Sequence, residues 1–453
     1  MTDRLFGTDG IRGAAGVPPL DPATVTRIGA ALVRASDPAG RPRRIVIGRD
    51  TRESGEWIEA ALTAGAVAAG ARVTRIGVAP TPAVAFLASS SGFDAGVVIS
   101  ASHNPFADNG LKVFGADGRK LDEVREAALE AVVLDDGWTT PSPPPETSAE
   151  RTPPETASDL LDQYRRHVRS VLPEPAALGP MRLAVDCANG AMAPVAPKLF
   201  EELGFDLVSL GCEPDGRNIN DGCGSTYPEP LAQFVAAHGC RLGVAFDGDG
   251  DRAILVDHRG RVVDGDAVLF ICAKHLQRAG RLPDDAIVAT VMSNIGLEKG
   301  LEALGIGLIR CAVGDKYVME TLVERRLALG GEQSGHVIFS EILTTGDGLI
   351  TTLMVLQAMA ASGRELDALA GELTVYPQVL VNVKVREKVS LDEVPDVARV
   401  IDAVEARLAG QGRLLVRYSG TEPLLRIMLE GPEQPAIDRM AGEIADSVRR
   451  HLG

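Results

Sequence analysis

The sequence predicts an α/β protein built from three mixed α/β units and a smaller α+β unit at the C-terminus. Three observations carry this expectation. The chain has 453 residues, too long for one core and enough for about three domains of ~150 residues. Short apolar runs alternate with alanine-rich, helix-length segments along most of it, the βαβ pattern of a mostly parallel sheet. Beyond residue 378 the pattern changes to short alternating strands interleaved with longer helices.

The elements follow in order. Ile45-Val46-Ile47 reads as a strand before the turn Gly48-Arg49-Asp50, and a helix is expected from Trp57 to Ala69. Strands follow at Val73 to Ile76 and Val97 to Ser100. Thr139 to about Glu155 is proline-rich and polar, as a linker between domains would be. A second unit begins at Leu183-Ala184-Val185-Asp186 and ends near Asp247. A third runs from Ala253 through strands at 287–289 and 308–310 to a helix over 349–361. In the last unit, strands are expected at 379–385, 414–416 and 426–429, with helices at 394–408 and 435–451. The expected boundaries are 1–150, 151–252, 253–368 and 369–453.

Composition narrows the function. Hydrophobic content of 45% and charged content of 24% are those of an ordinary globular protein. The formal net charge of −16 argues against nucleic acid and anionic membranes as partners. No run of 18 or more apolar residues is present. The N-terminus lacks a signal-like apolar stretch, and the six cysteines form no C-x-x-C pair. A cytoplasmic protein with reduced thiols is expected.

Two motifs suggest phosphoryl transfer. Ser100-Ala101-Ser102-His103-Asn104-Pro105 sets a serine hydroxyl beside a histidine after an apolar strand. Asp247-Gly248-Asp249-Gly250-Asp251-Arg252 sets three carboxylates at alternate positions after another, so that they can converge. Hard oxygen ligands suit magnesium. An EF-hand loop would need glycine and glutamate where Arg252 and His258 stand, so calcium of that kind is excluded. Lys112 follows in Asn109-Gly110-Leu111-Lys112, where it could return to the same cleft.

Two further loops are polar. Gly331-Glu332-Gln333-Ser334-Gly335-His336 offers groups for sugar hydroxyls or an amine, although taken by itself a plain hairpin turn is the favoured reading. Arg417-Tyr418-Ser419-Gly420-Thr421-Glu422-Pro423, with Arg426 beyond, could form a phosphate nest. No P-loop, G-x-S-x-G or H-E-x-x-H motif occurs.

These four motifs, in this order, resemble those of the α-D-phosphohexomutase superfamily over essentially the whole chain. The opening Phe6-Gly7-Thr8-Asp9-Gly10-Ile11-Arg12-Gly13, the Ser-Ala-Ser start of the serine loop and Gln333 resemble the branch that acts on glucosamine phosphates. The resemblance implies three similar α/β domains and a fourth α+β domain around a central active-site cleft. It implies that Ser102 is a phosphoserine and that Asp247, Asp249 and Asp251 bind one Mg2+ with a Ser102 oxygen. Arg12, His103 and Lys112 would line the reacting phosphate, with Lys112 the leading general-base candidate, provided desolvation or nearby cations lower its pKa, and Arg12 and His103 the alternatives. Arg252, Glu332 and Ser334 would contact substrate. Arg417, Ser419, Gly420, Thr421 and Arg426 would hold the other phosphate. The implied reaction interconverts glucosamine 6-phosphate and glucosamine 1-phosphate through a hexosamine 1,6-bisphosphate, which also serves as activator. The product would feed amino-sugar nucleotide and cell-wall precursor synthesis. The partner would be a small phosphosugar, without nucleic acid or membrane, and a homodimer is compatible. The alternatives are phosphoglucomutase or phosphomannomutase activity with the same chemistry, and a sugar-phosphate phosphatase.

Overall fold

The computed structural model describes residues 4–7, 9–35, 43–135, 154–419 and 423–453. Nearly all of the expected linker, up to residue 153, lies outside them. The chain divides into two compact units, one of residues 1–292 and 306–371, the other of 293–305 and 372–453.

The first sheet contains β1 (Ile11–Ala14), β2 (Arg44–Arg49), β3 (Arg72–Val78), β4 (Ala95–Ile99) and β5 (Asp108–Gly115) in the order β1-β5-β4-β2-β3. Helices α1 (Pro22–Arg34), α2 (Gly55–Ala68), α3 (Thr81–Ser90) and α4 (Glu123–Val133) accompany it. Its buried core includes Ile28, Ile45, Ile47, Ile58, Leu62 and Val97, the apolar positions that made strands and helices legible. β5, which was not singled out as a strand from sequence, is an inner strand between β1 and β4. A Cβ on Gly110 would lie 2.6 Å from the Ser100 carbonyl oxygen and 2.9 Å from that of Ile11, so glycine here permits close approach of two neighbours.

Helix α5 (Pro154–Arg169) leads to the second sheet. This contains β6 (Arg182–Asp186), β7 (Asp206–Leu210), β8 (Leu242–Phe246), β9 (Ala253–Asp257) and β10 (Val262–Val263), ordered β10-β9-β8-β6-β7. Helices α6 (Ala196–Glu202) and α7 (Glu229–His238) lie between its strands in sequence. The third unit was expected to start at Ala253. In the structure β9 pairs antiparallel with β8, and β10 with β9, so the second sheet continues to Val263. The aspartate loop is the connection inside that hairpin.

After α8 (Gly265–Arg278) come β11 (Ala286–Thr290), α9 (Ile295–Glu302), β12 (Gly307–Cys311), α10 (Asp315–Arg325), β13 (Leu329–Gly331) and β14 (Val337–Phe339). The strands form a sheet ordered β12-β11-β13-β14. Helices α11 (Gly348–Ser362) and α12 (Leu366–Ala370) follow.

One topology recurs in these three sheets. The strands β2, β6 and β11 each pair in parallel with two neighbours. The second of those neighbours, β4, β8 or β13, then pairs antiparallel with the next strand in sequence. The serine, aspartate and Glu332 loops are the three equivalent connections at that reversal. They occupy the C-terminal ends of parallel strands, where open α/β sheets place ligands.

In the second unit, β15 (Gln378–Lys384), α13 (Pro395–Leu408), β16 (Arg413–Tyr418), β17 (Leu424–Glu430) and α14 (Gln434–Leu452) form an antiparallel sheet, ordered β15-β17-β16, with its helices. Val383, Leu425, Ile427, Ile444 and Val448 are in its core. The segment carrying α9 belongs here too: Ile295 N–H donates to Glu430 at 3.2 Å, and the Asn294 side chain to the Tyr376 carbonyl at 2.9 Å.

Candidate active site

The serine loop leaves β4 and folds back into β5. Ser102 is 1% exposed and has φ +53°, a left-handed conformation uncommon for serine. Its hydroxyl donates to Asp247 Oδ2 at 2.5 Å and lies 3.4 Å from His103 Nδ1. Burial first, then the Arg252 and Arg12 cations, push the His103 imidazole down to about 4, so it is neutral at neutral pH.

The aspartate loop approaches the serine loop closely. A Cβ on Gly248 would sit 2.5 Å from the Ser102 carbonyl oxygen. Asp247, Asp249 and Asp251 are buried, and each offers a carboxylate oxygen within 4.8 Å of the others. Thr81 Oγ1 donates to Asp249 Oδ2 at 2.6 Å, and the Thr81 N–H to the Asp249 carbonyl at 2.9 Å. Asp249 Oδ1 is buried and accepts no hydrogen bond. Asp251 Oδ1 is likewise buried without a hydrogen-bond partner, and three crowded carboxylates with two such oxygens fit a hard cation, so the triad could hold a metal ion. Burial, then repulsion from Asp251 and Asp249, holds the Asp247 carboxyl well above its usual range. Such a group favours either a proton or a metal nearby.

Lys112, on β5, donates to Asp249 Oδ2 and Asp251 Oδ2, both at 2.8 Å, and lies 3.3 Å from Asp9. Burial opposes its charge, yet Asp249, Asp251 and Asp9 outweigh burial and keep the ammonium well above the usual lysine range. In this arrangement Lys112 is a donor and a counter-charge, with no free lone pair. That is at odds with the general-base role expected of it. Arg12, opposite Gly110 on β1, pairs with Asp9. Arg252 is kept cationic: Asp247 and Asp251 offset its burial.

Glu332 Oε1 accepts from the Gly314 N–H at 3.1 Å, and Ser334 is exposed beside it, 3.4 Å from Glu332 Oε2. The structure thus brings Arg12, Ser102, His103, Lys112, the aspartates, Arg252, Glu332 and Ser334 into one unit. In the other unit, Arg417 and Arg426 are register partners on β16 and β17, and Ser419 is buried just beyond. Burial first, then Arg426, lowers the pKa of Arg417. Gly420 and Thr421 lie outside the described residues.

Sequence reasoning passed over several contributors. His336 closes the Glu332 loop. The Gly346 N–H donates to its Nε2 at 3.1 Å, which places the ring proton on Nδ1, 3.5 Å from Asp251 Oδ1. Lys120 bridges Asp9 and Asp315. For Asp9 and His336 a signal existed, since both lie within the quoted motifs. Thr81, Lys120 and Asp315 had none.

Asp347 caps α11, accepting from the Leu349 and Ile350 N–H groups at 2.8 and 3.2 Å and from the Tyr164 hydroxyl at 2.8 Å. Burial, opposed by these hydrogen bonds, pushes its carboxyl from 3.8 up to about 7. The native state therefore holds a proton that the unfolded chain has released. The contribution to stability is complete below the unfolded pKa and is lost as pH rises through about 7. Asp347→Asn keeps the cap oxygen and removes the titration. Relative to wild type, its stability should rise from about pH 4 to about pH 7 and then level off, with a ceiling of about 4 kcal/mol. A pH-independent difference in calorimetry would show that Asp347 does not titrate in this way.

Comparison with known proteins agrees with this architecture. Models of the phosphoglucomutase/phosphomannomutase family match as α/β/α domain I at residues 3–139, domain II at 162–260, domain III at 264–376 and the C-terminal domain at 380–447. A solved phosphoglucomutase/phosphomannomutase family protein from Burkholderia thailandensis has a TM-score of 0.78 and 26% identity, covering 98% of both chains. Proteins named phosphoglucosamine mutase are nearer in sequence. The one from Solibacter usitatus is 48% identical over 100% of both chains, and that from Syntrophotalea carbinolica 46% identical over 100% of this chain and 99% of its own. The chain belongs to the phosphoglucosamine mutase family of the α-D-phosphohexomutase superfamily. It is an enzyme of the isomerase class.

Proposed function

We propose that this enzyme interconverts glucosamine 6-phosphate and glucosamine 1-phosphate through a phosphorylated Ser102 and a hexosamine 1,6-bisphosphate, which also activates the unphosphorylated form. The observation that carries the reading is the buried Ser102 hydroxyl, 2.5 Å from the first carboxylate of a three-aspartate cluster. The names of the full-length relatives supply the sugar.

Ser102 gives its phosphoryl group to O1 of the 6-phosphate, and the bisphosphate returns its 6-phosphoryl group to the serine. Asp247, Asp249 and Asp251, with an oxygen on Ser102, would hold Mg2+, which when bound offsets charge on the transferring group. Lys112 neutralises the carboxylates. Arg12 and Arg252 supply positive charge to the reacting phosphate. His103 Nδ1, 3.4 Å from the serine oxygen, is the nearest basic nitrogen we assign to proton transfer. Glu332 and Ser334 would take sugar hydroxyls or the amine. Arg417, Ser419, Gly420, Thr421 and Arg426 would hold the phosphate that is not reacting. No helix among the described residues is long and apolar enough to cross a membrane. We place the enzyme in the cytoplasm, acting on a small soluble phosphosugar.

The test is a side-by-side assay of glucosamine, glucose and mannose 6-phosphates with fully phosphorylated protein. Glucosamine 6-phosphate should have the highest kcat/KM. Preference for glucose or mannose phosphate would transfer the reading to the related mutases. Rapid release of inorganic phosphate without isomerisation would make the protein a phosphatase.

A further inference from the structure

We infer that Arg52 is a positioning residue that sets the backbone of the serine loop, and through it the Ser102 hydroxyl. Arg52 lies in the loop just beyond β2, whose neighbour β4 delivers Ser102, and is 0% exposed. A guanidinium has five N–H donors in a rigid fork. All five are used here. Nε donates to Asp50 Oδ2 at 2.9 Å. Nη2 donates to the carbonyls of Ser102 and Asn104 at 3.0 and 2.8 Å. Nη1 donates to the carbonyl of Asp108 at 3.0 Å and to that of Pro105. One side chain therefore ties four carbonyls of a single loop to one point.

Asp50 orients the fork and extends the same framework. Its Oδ2 also accepts from Ser100 Oγ at 2.6 Å, and Ser100 Oγ in turn accepts the Ser102 N–H at 2.9 Å. The serine peptide is thus held at both its N–H and its carbonyl. Asn220, from the second sheet's loops, adds a donor to the Ser102 carbonyl at 3.0 Å. This framework surrounds a serine with φ +53°, a conformation its own backbone does not favour. Satisfying one or two buried carbonyls would need no arginine. Holding four in register requires a fork that lysine cannot reproduce.

The inference rests on Ser102 being the phosphorylated nucleophile, and its test separates the two. Full-length wild type, Arg52→Lys, Asn220→Ala and Ser102→Ala are assayed for glucosamine-phosphate isomerisation. Intact mass gives the Ser102 phosphate content, and melting temperature reports the fold. Arg52→Lys is expected to lower kcat about 10- to 100-fold, the scale of a small displacement of a reacting atom. KM should stay within about two-fold and the melting temperature within a few degrees. Asn220→Ala should lower kcat less, in the same pattern. Wild-type kcat in Arg52→Lys, or a joint loss of kcat, substrate affinity and melting temperature, overturns the inference. If Arg52→Lys does not fold, Asn220→Ala decides: reduced kcat at constant KM supports the inference, and wild-type kcat overturns it. An active Ser102→Ala would instead sink the nucleophile assignment on which all of this depends.

Discussion

Ser102→Ala is expected to abolish the reaction, lowering turnover by roughly four orders of magnitude or more, as loss of a covalent nucleophile does. The same substitution should remove the phosphate seen by intact-mass analysis of the wild type. The structure gives grounds for expecting little collateral damage. The loop's anchors act on the Ser102 backbone, which alanine retains: its N–H on Ser100 and its carbonyl on Arg52 and Asn220. Only the side-chain contacts to Asp247 and His103 are lost. Unchanged melting temperature with no turnover would therefore identify a chemical role. Robust activity in Ser102→Ala, with added 1,6-bisphosphate, would direct attention to Ser100. Ser100 is an unattractive alternative, because its hydroxyl is already committed to Asp50 and to the Ser102 N–H.

Asp249→Asn should have the second largest effect. Asp249 divides its two oxygens between different tasks. Oδ2 accepts from Thr81 and Lys112, whereas Oδ1 is buried and accepts nothing. An amide can keep one oxygen for Thr81 and Lys112, so the fold should survive. It then turns an NH2 group toward the remaining carboxylates and withdraws an anionic oxygen from the cluster. Mg2+ affinity, measured by titration calorimetry without substrate, should weaken at least about 10-fold. Turnover should fall by roughly three orders of magnitude at a Mg2+ concentration that saturates wild type. Wild-type Mg2+ affinity in Asp249→Asn would remove Asp249 from the metal site.

The parts of this protein legible in its sequence are those whose cause is local. Ile45-Val46-Ile47 and Val97 to Ile99 announce buried strands because parallel strands covered on both faces are continuously apolar. The aspartate triplet announces itself because three carboxylates at alternate positions have few other uses. Residues whose role depends on a partner far along the chain were not legible. Nothing in the sequence singles out Arg52, and only the fold shows it buried beneath four carbonyls about 50 residues away. The pairing of Lys120 with Asp315 spans 195 positions. For Lys112 the general-base reading required its pKa to fall, and only the fold shows the three carboxylates that raise it. β5 escaped because the glycine that lets it run between two neighbours is also the residue that marks turns.

The recurrence of one hairpin position in three sheets has a consequence for how the protein comes to be active. Each hairpin joins strands that are neighbours in sequence, so the three loops can take shape separately and early. The hydrogen bonds that fix them against other segments join distant parts of the chain: Thr81 N–H to Asp249, Gly348 N–H to Gly250, Ala253 N–H to Gly335. We expect the catalytic centre to be complete only once these long-range contacts have formed. A refolding chain would recover its helices and strands before its first turnover, and a chain cut after its second sheet could retain two well-made loops and no enzyme.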